Sequence, residues 1–285
     1  MRFKSAALTL LTAAVLASGC SQTSTVPMAV GPNAGAMQAH GVTAADAAML
    51  EATVETLAAR YFADETADPA WEGEASERIG PRGGILYRML AGSATLRKWG
   101  YKLAERPVHK HFSKPSKQDQ VPPLSPQERQ ELAALLKPGD IIQCGNNGSF
   151  VHAIFYEGEG MIVHALAQSG FGKKMIGVIR EPLSEYLDRS DRDTVVVLRP
   201  TYQAQQLEAA IAYARAQEGK GYDTLFMTDS DDRQYCTELA YNTLGKSGAA
   251  RVEPHLASKA KWRLITNEDL RRSPDLQVVY RRNHD

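Results

Sequence analysis

The chain has 285 residues, 43% of them hydrophobic, which is enough for one large domain or two small ones with a sizeable core. Its 33 lysine and arginine residues balance its 33 aspartate and glutamate residues, so the formal net charge is +0. A neutral chain lacks the basic excess with which proteins bind phosphate backbones, and we therefore expect no nucleic-acid partner.

The N-terminus has the pattern of a bacterial lipoprotein signal peptide over residues 1–19. Arg2 and Lys4 precede an apolar run that ends near Leu16 and is too short to serve as a membrane-spanning helix. Small residues then lead to Cys20, an order that resembles the bacterial lipobox, although leucine stands four positions before the cysteine instead of three. We expect lipidation of Cys20 to hold the protein on a membrane. The alternative is an ordinary cleaved signal peptide with an incidental cysteine.

The residues after Cys20 predict a tether and a location. By resemblance to bacterial lipoprotein sorting, Ser21 in the place of an aspartate implies the outer membrane, with the protein facing the periplasm. Residues 20–42 are rich in serine, threonine, proline, glycine and alanine, which predicts a flexible tether between the membrane and the folded part of the chain.

Residues 43–120 predict a helical region followed by a linker. Thr43 is in position to cap a helix over residues 44–62, where apolar residues recur at helical spacing. A second helix is predicted over residues 85–103. The segment 105–126 is polar and contains several prolines, which predicts a loop or linker.

Residues 121–285 predict a region that combines helices with a sheet. Ser125, Pro126 and Glu128 have the pattern of a helix start, with a cap, a proline at the first helical position and a capping box. Short β-branched runs separated by glycine and asparagine then predict strands of an antiparallel sheet. The predicted strands are 140–144, 151–158, 161–167, 194–200 and 276–282, and further helices are predicted over 203–219 and 235–245.

Two histidines, His152 and His164, interrupt the apolar run 149–167. They are candidates for binding a metal, for serving a nucleophile elsewhere in the chain, or for filling the core. A zinc site needs three or four protein ligands, and the chain has no HxxxH or HExxH motif and no obvious third ligand for this pair. We therefore expect no metal and no other cofactor.

Cys236 is the candidate nucleophile. The chain passes from a polar loop into an amphipathic helix at this residue, which predicts that its sulfur lies in the first helical turn. The N–H groups and the dipole of a helix N-terminus favour a thiolate, whereas the acidic residues at 229, 231 and 232 oppose one if they lie close. We expect Cys144 to be a buried thiol. A disulfide between Cys144 and Cys236 is the alternative in an oxidising periplasm.

A thiolate enzyme also needs an imidazole base and a group that orients the imidazole. His152 follows a flexible turn and is the candidate base, and His164 on the next strand is the candidate orienting group. If the hairpin loop is the three residues 157–159, the two histidines lie directly opposite each other on one sheet face, whereas a shorter or longer loop shifts the register. Taken singly, each of the three residues is more typical of a buried core residue, and only their combination, at positions that the chemistry requires, favours a catalytic role.

Three segments carry a family resemblance. They are LLKPGDIIQC at 135–144, FVHAIFYEGEGMIVHA at 150–165 and YDTLFMTDSDDRQYCTELAYNTLG at 222–245. In this order they resemble the circularly permuted NlpC/P60 papain-like proteins of the YiiX/YaeF branch, in which the cysteine follows the histidine. The paired histidines also resemble lecithin:retinol acyltransferase-like proteins. The resemblance covers residues 136–285.

The resemblance implies an α+β fold, with an antiparallel sheet packed on helices as a catalytic domain over residues 121–285, preceded here by the helical N-terminal segment. It implies catalytic roles for Cys236 as the nucleophile, His152 as the base and His164 as the third polar residue. Tyr235 and Tyr222 are candidates for the substrate pocket, with packing around the cysteine loop as the alternative.

These observations predict a lipid-anchored thiol hydrolase that cleaves an amide or ester bond through an acyl-enzyme on Cys236. The expected partners are the membrane, through Cys20, and a small-molecule, peptide or lipid substrate, such as a cell-wall peptide or an amino-acid conjugate. Two alternatives stay open: a lipid acyltransferase or phospholipase-like enzyme, and a non-catalytic lipoprotein that binds a ligand or serves as a scaffold. The sequence contains no signal for an oligomeric state.

Overall fold

The structure of the protein is a computed structural model that describes residues 41–61, 83–112, 121–167, 175–228, 230, 232–256 and 262–283. The predicted signal peptide, Cys20 and nearly all of the predicted tether lie outside the described residues. Within the described ranges, no helix is both long enough and apolar enough to cross a membrane.

The N-terminal region contains the helices α1 (Ala44–Tyr61), α2 (83–92) and α3 (Ala94–Phe112). Thr43 caps α1 as the sequence predicts, because its Oγ1 accepts a hydrogen bond from the Asp46 N–H at 3.2 Å. In return, Oδ2 of Asp46 accepts one from the Thr43 N–H at 2.8 Å. The face that α1 buries carries four residues that are each 0% exposed: Leu50, Val54, Leu57 and Ala58.

The boundaries of α2 and α3 differ from the prediction. The sequence predicts one helix over 85–103 and then a loop, whereas the structure has a break at Ser93 and a helix that continues through Pro107 to the end of α3. A proline inside a helix costs about 3 kcal/mol because it removes a backbone donor and clashes with the preceding turn. Burial of Ala104 and Val108, each 0% exposed, offsets this cost.

Beyond residue 120 the described chain forms a mixed helix and sheet unit, as the resemblance implies. Helix α4 (Pro126–Leu135) begins with the predicted capping box of Ser125 and Glu128. A six-stranded sheet consists of β1 Ile141–Asn146, β2 Ser149–Gly158, β3 Met161–Leu166, β4 Gly177–Pro182, β5 Thr194–Pro200 and β8 Leu276–Arg282. All neighbouring strands are antiparallel, and their order is β4-β3-β2-β1-β5-β8. A separate short pair consists of β6 His255–Leu256 and β7 Arg263–Leu264.

Four helices lie between these strands in the described part of the chain. They are α5 (Leu183–Arg189), α6 (Ala204–Ala216), α7 (Cys236–Ser247) and α8 (Asn267–Arg272). The sequence predicts neither β4 nor α5, because β4 is an edge strand with only its first two residues fully buried and so lacks a hydrophobic pattern. Helix α7 extends two residues beyond its predicted end and stops at Gly248, whose φ of 68° supplies the left-handed cap.

Side chains of the sheet alternate between two faces that have separate hydrophobic clusters. On one face, Ala153 and Phe155 pack in a cluster that includes Cys236 and the buried residues of α1, α3 and α7. On the other face, Cys144 and Ile154 pack against α4 and α5. We call these the α7 face and the α5 face. Cys236 therefore lies on the α7 face, whereas Cys144 lies on the α5 face.

Candidate active site

Cys236 is the first residue of α7, where the sequence predicts it. The start of this helix lies against strand β2, because the Sγ atom approaches the backbone oxygen of Val151 to 4.0 Å. The backbone N–H groups of Ala153 and Thr237 also form hydrogen bonds with the sulfur. Backbone donors at a helix N-terminus are the surroundings in which a thiolate or an oxyanion is stabilised.

A tyrosine from the N-terminal region covers this sulfur. The hydroxyl oxygen of Tyr61, the last residue of α1, lies 2.8 Å from Cys236 Sγ and 3.3 Å from Thr237 Oγ1. The Tyr61 ring packs edge-on against Tyr235 at 5.7 Å between centroids and against Phe226 at 5.5 Å. In the sequence Tyr61 is one of several apolar residues at helical spacing, so nothing there indicates that it reaches the candidate nucleophile.

The buried position of Cys236 disfavours its ionisation. The residue is 2% exposed. Burial raises the pKa of its thiol, and the hydrogen bonds from the Tyr61 hydroxyl and from the backbone N–H groups of Ala153 and Thr237 lower it only in part. In this arrangement the sulfur is therefore held as the neutral thiol at neutral pH.

The two histidines form a hydrogen-bonded pair on the α5 face. Nε2 of His152 lies 2.8 Å from Nδ1 of His164, and Nε2 of His164 lies 2.6 Å from Oε1 of Glu181. Arg189 donates to Oε2 of Glu181 at 2.6 Å and also contacts Oε1. The Tyr186 ring packs against both imidazoles, with centroids 5.6 Å and 5.2 Å away. The predicted pairing of the histidines is thus present and continues to an ion pair on β4 and α5.

The hairpin that carries this pair has a different register from the one that a three-residue loop would give. The turn is at residues 159–160, and the strands pair Phe155 with Val163. His152 and His164 are therefore diagonal neighbours on one face and do not lie directly opposite each other. Long or aromatic side chains reach each other across such a diagonal.

The carboxylate of Glu181 fixes the direction of the hydrogen bonds in the pair. Burial alone would raise the pKa of Glu181, but the hydrogen bonds from His164 and Arg189 lower it to about 2, so the group is an acceptor only. His164 must then donate from Nε2 and accept at Nδ1, and His152 must donate from Nε2. Burial lowers the pKa of both histidines, which keeps them neutral and leaves Nδ1 of His152 as an unprotonated nitrogen.

The structure does not bring Cys236 and His152 together, and it corrects the expected contact between them. His152 pairs with Cys144 across the strands and shares the α5 face with Ile154, whereas Cys236 belongs to the α7 face. Among the described residues, the hydrogen-bond partners of the sulfur are Tyr61 and backbone groups, and no imidazole is one of them. The catalytic roles of Cys236, His152 and His164 stay predictions.

A β-bulge determines the face on which His152 lies. Strand β1 pairs Cys144 with His152 but Gly145 with Phe150, so Val151 is an extra residue on β2. A bulge changes the alternation of side chains by one position, and the backbone of Val151 and Ala153 then faces the start of α7 in place of an imidazole.

The remaining sequence-based candidates lie near these two groups. Cys144 is a buried free thiol, as predicted, with its Sγ 3.1 Å from the Tyr186 hydroxyl. Cys236 is also a free thiol and lies on the other face, so the structure has no disulfide between the two. Tyr235 and Tyr222 are 0% and 1% exposed and pack around the start of α7. Their predicted contribution to a substrate pocket stays a prediction.

Sequence reasoning did not identify Glu181, Tyr186 and Arg189. All three lie on β4 or α5, which the sequence did not predict. The one available signal was the charged pair of residues 180–181 next to an amphipathic segment, and such pairs are common on solvated surfaces. Only the pairing of β3 with β4, which sets His164 beside Ile179, brings these residues to the histidines.

Comparison with known proteins identifies the family. The model of the permuted papain-like amidases of the YaeF/YiiX type, the C92 family, matches residues 138–280, about half of the chain. The chain therefore belongs to this family of permuted papain-like amidases, which confirms the predicted relationship and fold class. Among solved structures, the crystal structure of the metalloprotein yiiX from Escherichia coli O157:H7 is similar over 51% of this chain and 97% of that chain, with 18% sequence identity and a TM-score of 0.36. No curated protein matches the chain.

Proposed function

We propose that this protein is a cysteine hydrolase that cleaves amide bonds with Cys236 as its nucleophile. The observation that carries the proposal is the position of Cys236 at the first residue of α7, where two backbone N–H groups form hydrogen bonds with its sulfur. The chain that places the cysteine there belongs to the family of permuted papain-like amidases. A thiol in this position needs only a base and an accessible carbonyl to act as a nucleophile.

The proposed reaction has two steps. In the first, the sulfur of Cys236 gives up its proton and forms a bond with the substrate carbonyl carbon. The C–N bond then breaks, and the amine leaves with a proton. In the second step, water attacks the thioester carbonyl, the C–S bond breaks, and the sulfur regains a proton as the acid is released. Backbone N–H groups at the start of α7 are the candidate donors to the oxyanion in both steps.

His152 is the proposed base, and the hydrogen bond to His164, which Glu181 orients, holds its ring on the α5 face until it moves toward Cys236. Its unprotonated Nδ1 has the chemistry of a proton acceptor, but it lies on the α5 face. Transfer of a proton from Cys236 therefore requires the start of β2 to shift by one residue, which turns each of its side chains to the other face. The extra residue Val151 is the local feature that would permit such a shift.

A second candidate function is ligand binding without catalysis, because no imidazole within the described residues lies at hydrogen-bonding distance from the Cys236 sulfur. An acyltransferase or phospholipase-like activity would use the same acyl-enzyme with a different acceptor or donor. We favour amide hydrolysis because the family is one of amidases. Cell-wall peptides and amino-acid conjugates are the proposed substrates.

The test is intact-mass analysis of the protein after incubation with peptidoglycan fragments and, separately, with phospholipids. We expect the wild type to convert a peptide fragment and to carry a transient acyl adduct, and Cys236→Ser to do neither, whereas Cys144→Ser keeps the activity. His152→Ala is expected to slow acylation by about 10²-fold or more. Unchanged acylation in this variant would reject His152 as the base. Binding of a fragment without any adduct or turnover would reject the hydrolase in favour of the binding function.

We also propose that the protein is anchored by lipid on Cys20 and faces the periplasm from the outer membrane. The support is the order of charged, apolar and small residues before Cys20, followed by Ser21. Growth of cells with a palmitate analogue should label the wild type but not Cys20→Ser, and the variant should leave the outer-membrane fraction. Equal labelling of both proteins would contradict an anchor on this residue.

A further inference from the structure

We propose that helix α1 is an intramolecular cap on Cys236, and that Tyr61 must leave the sulfur before a substrate carbonyl can reach it. The cap deepens the proposed function and rests on it, because it regulates access to the same nucleophile. It concerns a region of the chain, residues 44–61, that lies outside the part matched by the family.

Tyr61 occupies the space next to the Cys236 sulfur. A carbonyl carbon must come within about 3–3.5 Å of the nucleophile for attack. The hydroxyl oxygen of Tyr61 already lies 2.8 Å from Cys236 Sγ. The two side chains are 4% and 2% exposed, so they also close the approach from solvent. Substrate and Tyr61 would therefore compete for one position next to the sulfur.

The hydroxyl of Tyr61 cannot act as the base in place of His152. Burial raises the pKa of this phenol well above its usual range, and the neighbouring Cys236 raises it further. The group therefore stays protonated, and a phenol in this state does not take a proton from a thiol. Its hydrogen bond lowers the pKa of the Cys236 thiol only in part, while its hydroxyl occupies the position next to the sulfur that a substrate would need.

The last turn of α1 is held by separate contacts that can be broken one at a time. Tyr61 packs against both Tyr235 and Phe226, and Arg60 forms a salt bridge with Glu268 of α8 at 3.4 Å. The side chains of this pair are only 7% and 19% exposed, so removal of one partner is expected to destabilise the last turn of α1. Helix ends open at lower free energy than whole helices, and unwinding of this turn would uncover the sulfur while the buried residues of α1 remain docked.

Two arginines that pair with Glu268 supply a test variant and a control for this hypothesis. Glu268 also pairs with Arg272, four residues along the same helix, whose side chain is 66% exposed. Arg272→Ala removes an exposed ion pair from this carboxylate and leaves α1 unchanged, whereas Arg60→Ala removes a buried pair together with the other contacts of the Arg60 side chain and loosens α1. Tyr61→Ala removes the cap itself, and Tyr61→Phe keeps the ring while removing the hydroxyl.

The experiment measures the rate at which iodoacetamide alkylates Cys236 in the full-length protein near neutral pH, by peptide mass. We expect slow alkylation of the wild type and at least about tenfold faster alkylation of Tyr61→Ala, the change that a loss of about 1.4 kcal/mol of closing free energy would produce. Arg60→Ala should also react faster and Tyr61→Phe should show a smaller increase, whereas Arg272→Ala should match the wild type. Cys144 on the α5 face is the internal standard, and its rate should not change.

The alkylation rates of the variants decide whether α1 caps Cys236. The cap is wrong if wild-type Cys236 reacts as fast as an exposed thiol, or if Arg60→Ala and Arg272→Ala react at the same rate. If Tyr61→Ala also exposes Cys144, that variant has unfolded, and the arginine pair alone decides. Turnover of peptide fragments is scored separately. If Tyr61→Ala and Arg60→Ala are alkylated faster but no variant turns over a peptide fragment, the cap is upheld and the hydrolase is rejected. If peptide fragments are turned over but all variants are alkylated at the same rate, the hydrolase is upheld and the cap is rejected.

Discussion

The buried histidine pair makes the protein sensitive to mild acid. Burial lowers the pKa of His152 and His164 in the folded protein, so the unfolded chain binds more protons below the ordinary histidine pKa of about 6.5. The contribution of the two neutral histidines to the free energy of unfolding is therefore fully present above this pH and decreases as the pH falls below it. The limiting slope is about 1.4 kcal/mol per pH unit for each histidine. The carboxylate of Glu181, with its pKa lowered to about 2, contributes a loss only at more acidic pH.

We expect His164→Gln to reduce this pH dependence. The free energy of unfolding, measured by urea titration at pH 7 and at pH 5, should fall more in the wild type than in the variant. The buried Asp223 has a pKa raised to about 7 and gives a slope of the opposite sign, but it is common to both proteins and cancels in the comparison. Equal losses in the two proteins would show that His164 is not held neutral in the folded state.

At the level of the elements, local signals predicted those parts of the fold that local interactions determine. The cap at Thr43, the capping box at Ser125 and the five β-branched runs were predictable because the capping hydrogen bonds and strand propensities act over a few residues. Helix α3 was not predicted to pass Pro107, because burial against distant parts of the chain offsets the cost of the proline. The edge strand β4 was missed because most of its residues are not buried.

The face of His152 could not be predicted from the sequence for a specific physical reason. Residues 152–158 of β2 are buried on both faces of the sheet, so the strand has no alternation of polar and apolar residues from which a face can be assigned. The bulge at Val151 depends on the pairing of β2 with β1, which is a tertiary property. The positions of Cys236 and of the histidine pair along the chain were therefore predictable one by one. Their separation onto opposite faces of the sheet was not.

For the whole molecule, the N-terminal helices and the family domain share one hydrophobic core. The cluster on the α7 face contains Leu50 and Leu57 of α1 together with Leu239 and Leu244 of α7. The predicted boundary between residues 120 and 121 stays a prediction, but the core is continuous from one side of it to the other. A cap that is part of the main core can be displaced locally at low cost and completely only with loss of much of the fold.

This shared core predicts that the molecule unfolds in one transition and that α1 contributes to its stability. Leu57 is 0% exposed, and Leu57→Ala should lower the free energy of unfolding by about 2–5 kcal/mol through lost burial and the cavity that remains. Glu51→Ala, at a partly exposed position of the same helix, should change it by less than about 0.5 kcal/mol. Far-UV circular dichroism and tryptophan fluorescence should report the same midpoint for each protein. Two separate transitions, with only one of them moved by Leu57→Ala, would mean that α1 folds apart from the domain and that its hold on Cys236 depends on docking alone.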